Sequence, residues 1–316
     1  MTSQEYWAQR EAAQRKKNLT DEAAYRKELE QIYADMLESI QQEIDSFYAK
    51  YADKEGITLA QAKRRVSKLD MEEYQRKAAK YVKNRDFSDQ ANAEMRLYNL
   101  TMKINRLEML KANIGMELTG GFDEMQKYFE DKLTDRTIGE FERLAGILGD
   151  TVQNNVKKAR TIVNASFHNA TFSERIWAYQ DILKSELSKL LQQGMIQGKG
   201  SRELARSLRK VFDVSKTDTE RLMTTELRRV QTEAAKRSYE TNCNDEYEFM
   251  ATNARGPCDT CKKLNGKIFK VKDMMPGKNA PPMHPRCHCC TAPHWDEAKF
   301  QAYLREENRK MRQRQR

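Results

Sequence analysis

The chain has 316 residues, of which 39% are hydrophobic and 33% charged, with a formal net charge of +10 at pH 7 and a mean hydropathy of −0.91. No run of about 18 apolar residues occurs, so no stable membrane insertion is expected; the first residues lack the apolar stretch of a secretory signal. The polarity favours an extended helical body over a thick core, because long helices expose much surface per residue. The charge suits nucleic acid, an anionic membrane or an acidic protein, although a solvated protein with a modest lysine excess has the same composition.

The first 119 residues are predicted to form long helices. Ser3–Lys17 is helix-prone and basic, and Asn18–Thr20 is predicted to break the pattern, with Thr20 as a helix N-cap. From there to about Ala52, apolar residues recur at three- and four-residue steps, which indicates one stripe on a long helix. A second long helix is predicted from Ser88 to about Glu117. Two such helices would pair as a helical hairpin or bundle arm.

The middle of the chain is predicted to be a separate helical domain. Gly120-Gly121 is taken as a helix break, followed by shorter helices to residue 165 and by one over Phe172–Gln193. Two more are predicted, one capped by Ser201 and one by Thr217–Glu220. In the latter, Glu226 could pair with Arg228 or Arg229 across the helix surface, which would contribute only ~0.3–0.5 kcal/mol.

The periodicity changes from helical to alternating after residue 244. Glu246–Ala251 and Lys267–Val271 are predicted strands, with Asn265-Gly266 as a turn signal between them. The predicted fold class is therefore mainly α, an elongated helical hairpin or bundle followed by a small α+β module held by zinc. The predicted domains are a long-helix amino-terminal arm (1–119), a helical middle domain (122–243), a zinc-binding module containing β-strands (244–295) and a basic carboxy-terminal helix (296–316).

Cysteine and histidine are concentrated in Gly256–Cys290, which holds five of the six cysteines and two of the four histidines. Cys258 and Cys261 form one pair with i,i+3 spacing, and His284 and Cys287 form another. Two such pairs separated by a β-turn segment supply the four donors that tetrahedral zinc prefers. The predicted ligand set is Cys258, Cys261, His284 and Cys287, with Cys289 as a replacement for either of the last two. Unpaired buried thiols or disulfides are the alternatives, but the expected absence of a signal peptide favours a metal site.

A site with four protein ligands is structural, because it leaves no open position for water. Two enzymatic alternatives match the sequence only in part. Pro257-Cys258-x-x-Cys261 matches half of the zinc deaminase signature, but the upstream His or Cys two residues before Glu is missing. An HNH-like nuclease could use His284, His288 or His294, yet these lie among the presumed ligands. No catalytic residue and no cofactor beyond structural Zn²⁺ is predicted.

The chain finishes with a helix that carries a run of basic residues. Such a tail could bind the phosphate backbone of double-stranded DNA without sequence preference and in a salt-dependent way, or it could merely keep the protein soluble. A sequence-specific DNA-binding regulator is a further alternative, but the sequence contains no convincing recognition helix. The tail residues are Arg309, Lys310, Arg312, Arg314 and Arg316.

The order of these features resembles the phage minor head proteins similar to protein F of phage Mu, also called head morphogenesis proteins. The resemblance covers roughly residues 170–295. Its matching elements are GKGSRELARSLRKVF, the helix with Arg221, Thr225 and Glu226, the Cys258-x-x-Cys261 pair, Asn265-Gly266, and Pro281-Pro282-x-His284-Pro-x-Cys287-x-Cys289. His288 departs from the family, which often has Arg there.

The resemblance implies a non-enzymatic virion component present in few copies. It implies association with the phage portal protein and other head proteins, and a role in head assembly, DNA packaging or DNA delivery. The implied location is the capsid interior or the portal vertex, with the host cytoplasm as the site of assembly.

Overall fold

The computed structural model of the protein describes residues 2–51, 59–62, 64, 68–83, 87–93, 105–251 and 258–314. Over these residues the protein is mainly helical, as predicted, with a small sheet near the carboxyl end. None of the described helices is both long and apolar enough to cross a membrane. The helices are α1 (Ser3–Tyr51), α2 (Leu59–Ala62), α3 (Lys68–Lys83), α4 (Arg106–Leu148), α5 (Asn155–Val163), α6 (Phe172–Ile196), α7 (Ser201–Thr241), α8 (Asp259–Leu264) and α9 (Glu297–Arg314).

Helix α1 runs through Asn18–Thr20, so the break predicted there is wrong. The polar side chains that suggested a cap have other partners. Asn18 is buried and donates its amide to Gln231 Oε1 at 2.9 Å, and the Thr20 hydroxyl donates to the carbonyl of Lys16 at 3.2 Å. Both side chains donate in these bonds, whereas the side chain of an N-cap residue accepts a backbone N–H, so neither contact ends the helix.

Helix α4 likewise passes through Gly120-Gly121, and the predicted break there is wrong. A Cβ atom on Gly121 would lie 2.1 Å from both Cγ and Sδ of Met36 in α1. The glycine therefore permits close helix packing rather than a turn. Residues 94–104 of the second long helix predicted from Ser88 lie outside the described residues.

Helix α7 is continuous where two helices were predicted. The hydroxyl of Thr217, a predicted cap residue, donates to the carbonyl of Asp213 at 2.8 Å. Thr219 is buried, and its hydroxyl lies 2.8 Å from that of Tyr33. Helix α6 begins near its predicted start, where Thr171 and Glu174 form a capping box.

The chain forms two compact units. The first comprises Met1–Tyr25, Glu130–Ala165 and Arg221–Arg316, and the second comprises Arg26–Phe129 and Ser166–Glu220. The second unit has an apolar interior to which the predicted stripe of α1 contributes. Large buried side chains of this unit include Leu29, Tyr33, Met36, Ile40, Ile44, Phe122, Phe129, Leu183, Leu187 and Phe212.

A buried ionic network crosses the interior of the first unit. Arg143 donates to Glu11 at 2.8 Å and, through two nitrogens, to Glu140 at 2.6 and 2.9 Å. Gln231 donates to Glu140 at 3.0 Å and accepts from Arg228 at 2.9 Å. Burial raises the pKa of Glu11, and Arg143 opposes that shift. These contacts join α1, α4 and α7.

The sheet belongs to the same unit and has the order β2-β1-β3, with both pairs antiparallel. Strands β1 (Glu246–Met250) and β2 (Ile268–Lys270) confirm the two predicted strands, whereas β3 (Cys290–Pro293) was not predicted. Tyr247 and Phe249 of the central strand are fully buried. Tyr247 belongs to a core that also contains Trp7, Tyr239, Val271, Ala292, Trp295 and Phe300, whereas Phe249 packs in a separate, smaller cluster.

Candidate metal centre

The first pair of candidate ligands lies at the amino-terminal end of α8. Cys258 is the N-cap of this helix, and its sulfur accepts the Cys261 backbone N–H at 3.4 Å. Cys258 is exposed, whereas Cys261, one turn later, is fully buried. The C-x-x-C spacing thus places both sulfurs on the same side of the first helical turn.

The second pair lies on a tight turn before β3. The Cys287 N–H donates to the His284 carbonyl at 3.2 Å, and Arg286 has a φ of 58°. Proline at the second turn position and a positive φ at the third are the signature of a type II turn. The turn follows the cis Pro281-Pro282 peptide bond and brings His284 toward the first pair.

The imidazole of His284 is oriented for ligation. Its Nδ1 donates to the Pro285 carbonyl at 2.9 Å, because a carbonyl oxygen can only accept. With the proton on Nδ1, the lone pair of Nε2 is available to bind a metal. Nε2 lies 3.6 Å from Cys261 Sγ. Two ligands of one tetrahedral zinc ion lie about this far apart, given metal–ligand bonds of about 2.0–2.3 Å. A hydrogen bond from the second ring nitrogen is the usual support of a metal-bound histidine.

Five donors gather at this point, in two groups that share Cys261. In one group the donor atoms of Cys258, Cys261 and His284 all lie within 4.8 Å of one another, and in the other those of Cys261, Cys287 and Cys289 do. The four predicted ligands therefore occur in these groups, and so does the predicted replacement Cys289. The choice among the five stays a prediction.

The thiols differ in their readiness to ionise. A hydrogen bond from Cys289 is the main cause that lowers the pKa of Cys287 to about 5, against the effect of burial. Burial is the main cause that raises the pKa of Cys261 to about 12, and the charge of Cys287 adds to it. The Cys261 N–H lowers the pKa of Cys258. Because the thiolate is the form that binds a metal, metal binding would release protons from these cysteines. The metal affinity would therefore decrease as the pH falls.

The inner three thiols also form a small hydrophobic core. Cys261, Cys287 and Cys289 pack against the fully buried Phe249 of β1. Leu264, Phe269 and Met283 cover the rim of this cluster. All six cysteines are free thiols; Cys243 and Cys290 belong to neither donor group.

The remaining histidines of the region are dispersed. His288 Nδ1 lies 3.9 Å from the buried carboxylate of Glu22. His294 donates its backbone N–H to the Glu246 carbonyl and lines a separate cleft of about 770 Å³. Neither belongs to a group of three metal donors among the residues that the structure describes.

Two residues of α7 take roles that their sequence positions did not reveal. Glu226 and Arg229 form the predicted ion pair at 2.6 Å, but their side chains are only 1% and 2% exposed, so its assignment to the helix surface is wrong. Arg229 also donates to the carbonyls of Ile162 and Val163, which end α5. The apolar residues Leu222, Met223 and Val230 share a helical face with Glu226 and could have indicated its burial.

Part of the chain is similar to a known protein family. Residues 185–292 match the family described as Phage Mu protein F like protein. The match includes all five candidate metal donors and the whole of α7, and it confirms the predicted resemblance over these residues. No curated protein and no solved structure matches the chain.

Proposed function

We propose that the protein is a phage minor head protein that acts at the portal vertex in head assembly, DNA packaging or DNA delivery. The observation that carries the proposal is the family match over residues 185–292, because that family is one of phage head morphogenesis. The proposed partners are the portal protein, other head proteins and double-stranded DNA. The proposed role is structural rather than enzymatic.

The donor set supports a structural metal. The ion would be held by Cys258, Cys261, His284 and Cys287. The Cys289 thiol would donate a hydrogen bond to the Cys287 sulfur and would not itself bind the ion. Bound there, zinc would cross-link α8 to the turn before β3, in a module whose own apolar core is small. If this ligand set is right, the cobalt-substituted protein should show thiolate-to-cobalt charge-transfer absorption of the intensity expected for three thiolates. An intensity that corresponds to four thiolates would mean that Cys289, and not His284, is the fourth ligand.

The DNA contact is proposed for an exposed face of α7. Arg202, Arg206 and Arg209 follow i, i+4, i+7 spacing, which places them on one helical face over about 10 Å. All three are exposed, and none forms an ion pair with another described residue. Unpaired arginines on one face suit a row of phosphates. The basic tail is a second candidate contact, although Arg309 pairs with Glu306 at 2.9 Å and Arg316 lies outside the described residues.

The test of the proposed role is the position of the protein in the particle. Mass spectrometry of purified virions should detect the chain in few copies, and antibody labelling of opened heads should mark a single vertex. Absence of the chain from both virions and head-assembly intermediates would overturn the proposal. Uniform labelling of the shell would contradict the portal location alone.

DNA binding is tested separately with duplex DNA at several salt concentrations. Replacing Arg202, Arg206 and Arg209 by alanine should weaken binding and should reduce the slope of log K against log salt by about 3. The matched control removes the same charge from exposed residues of α5, namely Lys157, Lys158 and Arg160. Equal losses in both variants would show that binding depends on overall charge and not on the α7 face.

A further inference from the structure

The two ligand pairs satisfy their backbone donors differently. In the first pair, the Cys258 sulfur itself accepts the Cys261 N–H. In the second pair, His284 cannot accept in this way, because its Nδ1 donates to the Pro285 carbonyl and its Nε2 faces Cys261. The Cys287 N–H is instead accepted by the His284 carbonyl, and the Arg286 N–H of the same turn finds its acceptor outside the pair.

Helix α7 supplies that acceptor. The backbone N–H of Arg286 donates to the hydroxyl oxygen of Thr225 at 3.2 Å. The same hydroxyl donates to the Arg221 carbonyl at 2.7 Å, which fixes its orientation. Arg286 holds a φ of 58°, a conformation that disfavours a residue with a Cβ atom. The Thr225 hydroxyl thus holds the turn at the residue whose conformation is least favourable.

The helix turn that carries Thr225 is itself anchored. The next residue, Glu226, is fully buried and paired with Arg229, which binds the last carbonyls of α5. These contacts fix the rotation of α7 about its axis, so Thr225 presents its hydroxyl from a defined position. The position of the His284–Cys287 turn is therefore fixed by contacts with the helices of its own compact unit.

We propose that Thr225 is a positioning residue for the metal centre, which holds the His284–Cys287 turn in the geometry that presents both donors to one ion. The inference rests on the structural metal site proposed above, since the function assigned to Thr225 is to preorganise that site. Loss of an outer partner of this kind typically lowers metal affinity 10- to 100-fold. The effect acts through the hydroxyl as an acceptor and not through the volume of the side chain.

The test compares threonine variants of the full chain. Thr225→Val keeps the side-chain shape but cannot accept a hydrogen bond, whereas Thr225→Ser keeps the hydroxyl. Zinc affinity is measured by competition with a chromogenic chelator, and ligand geometry by the visible absorption of the cobalt-substituted protein. Valine should weaken zinc binding about 10-fold or more and shift the cobalt spectrum, while serine should stay within about 3-fold of wild type.

The adjacent threonine is a matched control. Thr224 is also half-buried on α7 and forms no hydrogen bond through its side chain with a described residue. Thr224→Val should therefore leave zinc affinity and the cobalt spectrum unchanged. Wild-type behaviour of Thr225→Val, or equal damage from valine and serine at position 225, would overturn the positioning role.

Two further measurements keep the outcomes distinct. If Thr225→Val does not fold, hydrogen exchange of the Arg286 amide in the zinc-loaded wild type decides the matter. Protection is expected although Arg286 is exposed, and exchange at the rate of an unstructured amide would contradict the contact. Wild-type protein that binds no zinc would overturn the metal site and the positioning role together, whereas zinc binding unaffected by valine would overturn only the latter.

Discussion

The two compact units keep different kinds of groups in their interiors. The first buries carboxylates and guanidinium groups in connected pairs, such as Glu226 with Arg229, and also contains the five candidate metal donors. In the second, the buried charged residues among those described are Asp70 and Asp123, each paired with a partly exposed lysine. The first unit should therefore be sensitive to the loss of one polar partner, and the second to changes of volume.

Metal removal should have the largest effect, and it should be confined to the first unit. Cys261→Ser removes the sulfur that both donor groups share, and a structural zinc contributes on the order of 10 kcal/mol to the folding of a small module. Near-UV circular dichroism and hydrogen exchange should show loss of order between residues 258 and 293. Cys243→Ser, at an exposed cysteine outside both groups, should change neither signal. Equal effects of the two substitutions would refute a metal-dependent module.

Breaking the buried ion pair should have the next largest effect. Arg229→Met removes the guanidinium that pairs with the buried Glu226 carboxylate and donates to two carbonyls, which should reduce the free energy of unfolding by about 3–5 kcal/mol. Arg237 and Glu240 on the same helix also have i,i+3 spacing but are exposed. Arg237→Met should therefore cost less than about 1 kcal/mol in chemical denaturation. Similar losses at both positions would mean that burial of the pair does not matter.

The second unit should respond to added volume. Gly121→Ala places a Cβ atom against Met36 and should destabilise the protein by about 1–3 kcal/mol in chemical denaturation. Gly139, in the same helix, has open space at this point, so Gly139→Ala should stabilise by up to about 1 kcal/mol through helix propensity. The cost at Gly121 should shrink when Met36 is also shortened to alanine. A neutral Gly121→Ala would show that α1 and α4 do not pack this closely.

Removing a polar group from the second unit should have the smallest effect and the opposite sign. The Gln180 side chain is fully buried, and neither of its amide atoms has a hydrogen-bond partner among the described residues. Gln180→Leu should raise the free energy of unfolding by about 1–2 kcal/mol, because an unpaired amide is costly to bury. Gln192→Leu, at an exposed position of the same helix, is the control and should stay within about 0.5 kcal/mol of wild type. Destabilisation by Gln180→Leu would show that the amide has a partner.

Local patterns predicted helices, two strands and the cysteines and histidine that the fold brings together, because spacing and residue type indicate these features directly. They did not predict where helices continue. Gly121 and Asn18 resemble breaks in sequence, and the distant contact that each makes inside a helix, with Met36 or Gln231, has no local signal. Strand β3 was missed because its residues follow the cysteine motif without alternation. Thr225 could be singled out only by the family resemblance, since its partner Arg286 is 61 residues away.

The two units depend on different parts of the chain, and this difference sets the order in which they can fold during synthesis. Every segment of the second unit lies between Arg26 and Glu220, whereas the first unit needs Arg221 onward. The hydroxyl contact of Tyr6 with Tyr303 in the first unit spans 297 residues, against 182 for Tyr33 with Ser215 in the second. During synthesis the second unit can fold while the residues from Arg221 onward are still being made, because a contact between distant segments forms only after the later segment has been synthesised. The amino-terminal segment Met1–Tyr25, which belongs to the first unit, is made first but would thus be among the last to pack.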